Sequence, residues 1–147
     1  MRRFDSYTDA RRQFRTVLDS ASTGRVTTVR REHETFTVVP AALFRGQLER
    51  LLPADAVVAA EGGGWAAWLP SLPVHGEADT FDAAVGDLIT ALREYADDWN
   101  DRLLNAPNHQ ANWAVVELIE LSTDDELRRW ITSGDTQDPA AAVSGAR

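Results

Sequence analysis

Ser6-Tyr7-Thr8-Asp9-Ala10-Arg11-Arg12-Gln13-Phe14, continued through Val17-Leu18 and Ala21 to a Val- and Thr-rich run closing at Arg30-Arg31, is the stretch on which the fold turns. Ser6 can cap a helix, and Asp9 stands three places on, where the acid of a capping box belongs. Tyr7, Ala10, Phe14, Val17, Leu18 and Ala21 recur at intervals of three and four, which predicts one helix over 6–21 with a single apolar stripe. Arg11, Arg12 and Arg15 fall off that stripe, and Arg11 and Arg15 are neighbours one turn apart. A helix with a buried aromatic stripe and an arginine face, flanked by more arginine, is a candidate for holding phosphate.

Working outward, Arg2 to Asp5 reads as a short strand, and Ser22-Thr23-Gly24 stops the helix with Gly24 in the left-handed conformation. Arg25 to Arg30 and Thr35 to Val39 are rich in Val and Thr and read as strands, joined into a hairpin by Arg31 to Glu34. Pro40 opens a second helix over 41–52, with Leu43, Phe44, Leu48, Leu51 and Leu52 apolar, and Pro53 ends it. The predicted order is β-α-β-β-α. Such a unit is small for a solitary core and gains from dimerisation.

Ser6-Tyr7-Thr8-Asp9-Ala10-Arg11, the helix after it, the hairpin strand ending Val29-Arg30 and the second short helix resemble the N-terminal domain of Phd/YefM antitoxins. The resemblance covers residues 1–52 and rests on order and spacing. It implies a dimerisation domain that binds operator DNA. The arginine after the Ser-x-Ser/Thr-x-Ala run and the arginine closing the first hairpin strand are DNA contacts in that family, which places the role on Arg11 and Arg30 here. The turn Arg31-Glu32-His33-Glu34 departs from the family's frequent glycine-containing version.

A boundary is expected at Pro53 to Asp55. Beyond it Ala56 to Ala60 and Trp65 to Leu69 read as strands around the turn Glu61-Gly62-Gly63-Gly64, and Val74 to Ala78 as a third. Thr80 caps a long helix whose apolar positions Phe81, Ala84, Val85, Leu88, Ala91, Leu92 and Tyr95 keep helical period, ending near Leu103 before Pro107. Gly63-Gly64-Trp65-Ala66-Ala67-Trp68-Leu69-Pro70-Ser71-Leu72-Pro73, then Ala78-Asp79-Thr80 and the Ala-rich helix, resemble the HicB antitoxin domain over residues 56–98. Ser71 replaces that family's Asp, and Val74-His75 its Gly-Cys. The resemblance implies a three-stranded sheet with a helix across one face, capping a small toxin ribonuclease. Trp113, Val115, Val116, Leu118, Ile119 and Leu121 fit a buried helix or a last strand. Ser122 with Asp125 reads as a capping box for a helix to Ile131. Residues 134–147 are small, polar and without period, and read as a disordered tail. The expected architecture is thus α+β: a dimerisation domain over 1–52, a HicB-like domain over 53–133, and the tail.

Among the 147 residues, 44% are hydrophobic, enough for a packed core, and none is cysteine. That excludes a disulfide framework and thiolate metal sites. No apolar run approaches the roughly 20 residues that span a bilayer, and no apolar segment follows Met1-Arg2-Arg3-Phe4-Asp5, so the expected location is the cytoplasm, with no membrane partner. The net charge of −8 is uneven: residues 1–52 carry ten Arg against six acids, and residues 53–147 five Arg against seventeen. A basic head of +4 and an acidic body of −12 suggest one anionic and one basic partner.

Nothing in the sequence looks catalytic. His33, His75 and His109 lack metal-ligand spacing, and no Ser-His-Asp order can be argued. Gly62-Gly63-Gly64 lacks the Lys-Ser/Thr of a phosphate loop. No metal or cofactor is expected. Arg2, Arg3, Arg11, Arg12, Arg15, Arg30 and Arg31 come from three segments that the fold should unite. Charge alone leaves two uses for them, gripping DNA or pairing with the acidic half of the chain; the family resemblance favours DNA. For the toxin, the candidates are Trp65 and Trp68 as aromatic anchors, and the acidic run Asp97, Asp98 and Asp101, which otherwise forms a solvated helix face. The function expected is an antitoxin that neutralises a toxin and represses its own operon. The alternative is a dimeric DNA-binding regulator whose second domain senses a ligand or only oligomerises.

Overall fold

The computed structural model describes residues 1–134. The tail expected over 134–147 lies outside them, apart from Gly134. The chain is mixed α+β with two three-stranded sheets. It divides into two compact units, Met1–Gly46 and the chain from Gln47 on.

In the first unit, β1 (Arg2–Phe4), α1 (Tyr7–Arg12), α2 (Phe14–Ser22), β2 (Thr27–Arg31) and β3 (Glu34–Val38) lead into α3 (Ala41–Leu51), within which the division falls. The strand order is β1-β2-β3, with β1 parallel and β3 antiparallel to β2. A parallel pair requires a crossover, and the two helices supply it. Phe4, Ala10 and Val17 form the buried core, with Val29 and Val38 packed against them.

The single helix expected over 6–21 is two. Ser6 caps α1, its Oγ accepting from the Asp9 amide at 3.1 Å. The Asp9 carboxylate does not complete the box but accepts from Gln13 Nε2 at 2.6 Å. Gln13 leaves helical geometry, at φ −111° and ψ 29°, and α2 restarts at Phe14. The stripe is also less buried than its periodicity implies. Ala10, Val17 and Ala21 are inside, whereas Tyr7, Phe14 and Leu18 are 56%, 59% and 44% exposed. The break at Gln13 turns half the stripe outward.

The β2–β3 turn is the two residues Glu32-His33, since Arg31 pairs with Glu34. Glu32 has φ 54°, a left-handed conformation that costs a residue with a Cβ about 1 kcal/mol. It is the position at which a glycine would be relaxed.

The second unit holds β4 (Val57–Glu61), β5 (Gly64–Trp68), β6 (His75–Ala78), α4 (Phe81–Asp98), α5 (Trp113–Leu121) and α6 (Asp124–Thr132). The sheet is fully antiparallel, β4-β5-β6. Gly62 and Gly63 form its first turn, with φ 57° and 87°, as a two-residue hairpin loop requires. Thr80 caps α4, accepting from the Ala83 amide at 3.2 Å. The helix buries Ala84, Val85, Leu88, Ile89, Leu92, Tyr95 and Ala96. It lies against the row of residues Val58, Ala67 and Gly76 that the pairing register aligns across the three strands. A Cβ at Gly76 would stand 2.3 Å from the Leu88 nitrogen and 2.6 Å from the Ala84 oxygen.

Residues 113–121, left open between helix and strand, are helical, and their apolar circumference is explained by burial of Val116, Leu118 and Ile119. The last capping box is one residue later than expected: Thr123 Oγ1 accepts from the Glu126 amide, and Glu126 accepts from the Thr123 amide at 2.8 Å. Ser122 is buried and instead donates to the Leu118 carbonyl at 2.6 Å, closing α5. Arg93 of α4 fixes this corner, donating to the Ile119 carbonyl at 2.6 Å and the Ser122 carbonyl at 2.7 Å, and pairing with Asp124. Trp130 of α6 is 2% exposed and donates from Nε1 to the Leu52 carbonyl at 2.7 Å.

Candidate functional site

All seven arginines singled out from the sequence are exposed. The first unit does not gather them on one surface. Side chains alternate across a strand, so the two faces of the β1-β2-β3 sheet can be separated by parity. Phe4, Val29 and Val38 point to the helices, as their place in the core shows. Arg3, Thr28, Arg30, Thr35 and Thr37 therefore point to the opposite, outer face. There Met1, Arg3, Asp5, Thr28, Arg30, His33 and Thr35 are among the residues lining an open depression of about 390 Å³.

Arg2 and Arg31 have the other parity. The Arg2 guanidinium lies 5.5 Å from the Phe4 ring centre and that of Arg31 6.0 Å from the Tyr7 ring centre. Arg11 and Arg12 occupy the last turn of α1, and Arg15 stands one turn before Asp19 on α2, 3.8 Å from its carboxylate. Among the described residues, Arg3, Arg11, Arg12 and Arg30 make no ion pair or side-chain hydrogen bond. Their charge is available to an outside anion.

The five residues proposed for a protein partner are likewise split. Trp65 and Trp68 are three apart on β5, so they face opposite sides of the sheet. Trp65 lies on the α4 side, its ring edge-on to Phe81 with centres 5.5 Å apart. Trp68 pairs with Val57 and His75 on the other. Asp97, Asp98 and Asp101 stand at the far end of α4 and in the π-helical turn Trp99–Leu103, about 25 Å from Phe81 at 1.5 Å per residue. Asp98 pairs with Arg102 at 2.8 Å. Among the described residues neither Asp97 nor Asp101 has such a partner, and both are exposed. Trp99, by contrast, is a core residue, 4% exposed, donating to the His109 carbonyl at 2.9 Å. The same loop is held by Tyr95, whose hydroxyl meets His109 Nδ1 at 2.9 Å and accepts from Asn112 at 2.8 Å.

A second acidic group, missed in the sequence, gathers at the β4–β5 turn and the neighbouring strand β6. Glu61, Glu77, Asp79, Trp65 and the turn Gly62–Gly64 are among the residues lining an open pocket of about 470 Å³ at the β4–β5 turn. The three acids lie far apart in sequence. Their signal was in the register, because Glu61 pairs with Gly64 and Glu77 with Ala66, which puts both acids on the face of the sheet opposite the Trp65 side chain. Among the described residues no group of His, Asp and Glu could hold a metal ion, and no helix is long and apolar enough to cross a membrane.

The first unit thus carries arginines on both sides of its sheet, and the second carries acids near both ends of α4. Comparison with known proteins gives the class. Residues 1–133 match the PHD-like family model, described as the antitoxin of RelE/RelB toxin-antitoxin systems, and the chain belongs to that family. It is the antitoxin of a toxin-antitoxin system, a non-enzymatic regulatory protein whose family implies a toxin partner. No curated protein matches the chain. A crystal structure from Syntrophomonas wolfei subsp. wolfei, described as the antitoxin part of a candidate toxin/antitoxin system, has the same fold. It is 19% identical, with a TM-score of 0.74 over 88% of this chain and 96% of that one.

Proposed function

We propose that this antitoxin works through two modules, a Phd/YefM-like one over 1–52 that dimerises and represses its own operon on operator DNA, and a HicB-like one over 53–133 that binds and neutralises a small basic ribonuclease. The observation that carries the reading is the division of charge between compact units, +4 over Met1–Gly46 and −12 over the chain from Gln47 on, within a chain of an antitoxin family. A ribonuclease binds a polyanion, so its working surface is basic, and an acidic cap can occupy it in place of RNA. Dimerisation is supported by the first unit's apolar exposure: Tyr7, Phe14, Leu18 and Phe36 are each 44% exposed or more, around a core of few residues. The HicB-like reading is supported by the antiparallel β4-β5-β6 sheet with α4 across one face.

The acids at the two ends of α4 serve as the toxin's counter-charges, with the pocket lined by Glu61, Glu77 and Asp79 taking a Lys or Arg side chain. Reversing one end at a time tests this. Glu61→Lys with Asp79→Lys, and separately Asp97→Lys with Asp101→Lys, should each weaken binding to the product of the adjacent small gene by tenfold or more, about 1.4 kcal/mol, as read by calorimetry at low salt. Unchanged affinity for both pairs would remove the acidic surfaces from the interface.

A further inference from the structure

Trp113 is 51% exposed, whereas Trp99 and Trp130 are 4% and 2% exposed and each is tied through its indole nitrogen. Tryptophan is mostly covered in a folded chain, so an open indole marks a surface to be covered by something else. Trp113 opens α5, and Glu117 and Glu120, four and seven residues on, share its face. Val116, Leu118 and Ile119 fall off that face and are buried. Glu120 Oε1 accepts from Asn100 Nδ2 at 2.5 Å, which joins the α5 face to the turn after α4, where Asp97 and Asp101 stand within one turn of Asn100. Two arginines near this end of α4 are already engaged: Arg102 with Asp98, and Arg93 with the Ile119 and Ser122 carbonyls and Asp124. Among the described residues, the side chains of Trp113 and Glu117 have no hydrogen-bond, ion-pair or ring partner.

The face thus carries one indole and four carboxylates. Its charge selects a basic occupant and disfavours a second copy of this unit, which itself carries −12. Trp113 and Glu117 are neighbours one turn apart, so a guanidinium stacked on the indole can donate to the carboxylate at the same time. Glu120 follows about 4–5 Å further along the axis, at 1.5 Å per residue. We propose that this face of α5 stands in for RNA on the toxin: the indole takes the place of a stacked base and the carboxylates of Glu117, Glu120, Asp97 and Asp101 that of phosphates, so that arginines and lysines of the toxin's RNA-binding surface close on them. This rests on the reading of the partner as a small basic ribonuclease and narrows it, since it makes Trp113 the anchor and assigns the surface of the toxin that is occupied. Single-stranded RNA is held by stacking of its bases together with attraction of its backbone charge, and this face offers both.

The test uses the full chain, the purified product of the adjacent small gene, and a 2′-O-methyl RNA oligonucleotide, whose 2′ oxygen is blocked against cleavage. In calorimetry at low salt, the wild-type chain and the oligonucleotide should compete for the small protein. Trp113→Ala should lose about 30-fold or more in affinity, the scale of an aromatic hot spot, whereas Trp113→Phe, which keeps a ring to stack on, should stay within about fivefold. Glu117→Gln with Glu120→Gln should lose about tenfold at low salt and less at high salt, with glutamine preserving the acceptor that Asn100 uses. Circular dichroism confirms that each variant is folded. A Trp113→Ala chain that binds like the wild type, or a wild-type complex that the oligonucleotide does not displace, would overturn the proposal while leaving toxin binding standing. A free chain whose oligomeric state, read by sedimentation, changes on Trp113→Ala would give this face to a second copy and overturn it as well. A wild-type chain that does not bind the small protein would remove the neutralisation reading, and this proposal with it.

Discussion

Replacing Gly76 by alanine is expected to destabilise the second unit by about 3 kcal/mol or more, the upper end of what overpacking costs. The added methyl would meet backbone on both sides, the Leu88 nitrogen at 2.3 Å and the Ala84 oxygen at 2.6 Å. Backbone in the middle of a buried helix cannot step aside like the end of a flexible side chain, so α4 must lift from the sheet. Ala84, Val85 and Leu88 are each fully buried and would lose contact together. Gly63→Ala is the natural control. Its Cβ meets nothing within 4 Å, and only its φ of 87° is strained, so about 1 kcal/mol is expected. Urea unfolding followed by tryptophan fluorescence reads this unit selectively, because all five tryptophans, at 65, 68, 99, 113 and 130, lie beyond Gly46. An equal cost at the two glycines would show that the close approach at Gly76 is not what that position requires.

The second large effect is expected at Trp130. Truncation to alanine removes a side chain that is 2% exposed and leaves the Leu52 carbonyl without its donor. Loss of a buried aromatic costs about 3–5 kcal/mol. Trp130→Phe keeps most of the buried area and loses the hydrogen bond, so about 1–2 kcal/mol is expected there. The hydrogen bond ties α6 to the segment just after α3, 78 residues earlier in the chain. The alanine variant should therefore expose the chain around Leu52 to proteolysis, and the phenylalanine variant much less so. Matching protease sensitivity in the two variants would separate the ring's packing from the tie it makes.

Order and type of the elements were legible because each was punctuated by a residue with a mechanical role. Gly24 ends α2 at φ 77°, Gly62-Gly63 forms the β4–β5 turn, and Thr80 caps α4. What escaped had no such mark. The break at Gln13 interrupts a continuous apolar period with neither glycine nor proline, so nothing local distinguishes it from a helix interior. The α6 cap was displaced by one because Ser122-x-x-Asp125 and Thr123-x-x-Glu126 are both capping patterns in overlapping frames. Only the burial of Ser122 against the Leu118 carbonyl selects the second.

The candidate site was legible in kind more than in place. That arginines crowd one unit and acids the other could be counted. Which arginines share a surface depends on strand parity, and parity depends on a register that propensity does not fix. Arg30 and Arg31 are adjacent in sequence and lie on opposite sides of the sheet. Trp65 and Trp68 read as a pair and do the same. The Glu61, Glu77 and Asp79 group exists only once β4, β5 and β6 are aligned.

Co-expression tests the central claim most directly, that the acidic second module neutralises a toxin. The adjacent small gene is induced alone, with the full chain, and with a chain cut after Leu52. The account predicts growth arrest by the small gene alone, full rescue by the whole chain, and none by the truncation. Rescue by residues 1–52 alone, or an arrest that the full chain does not relieve, would contradict it.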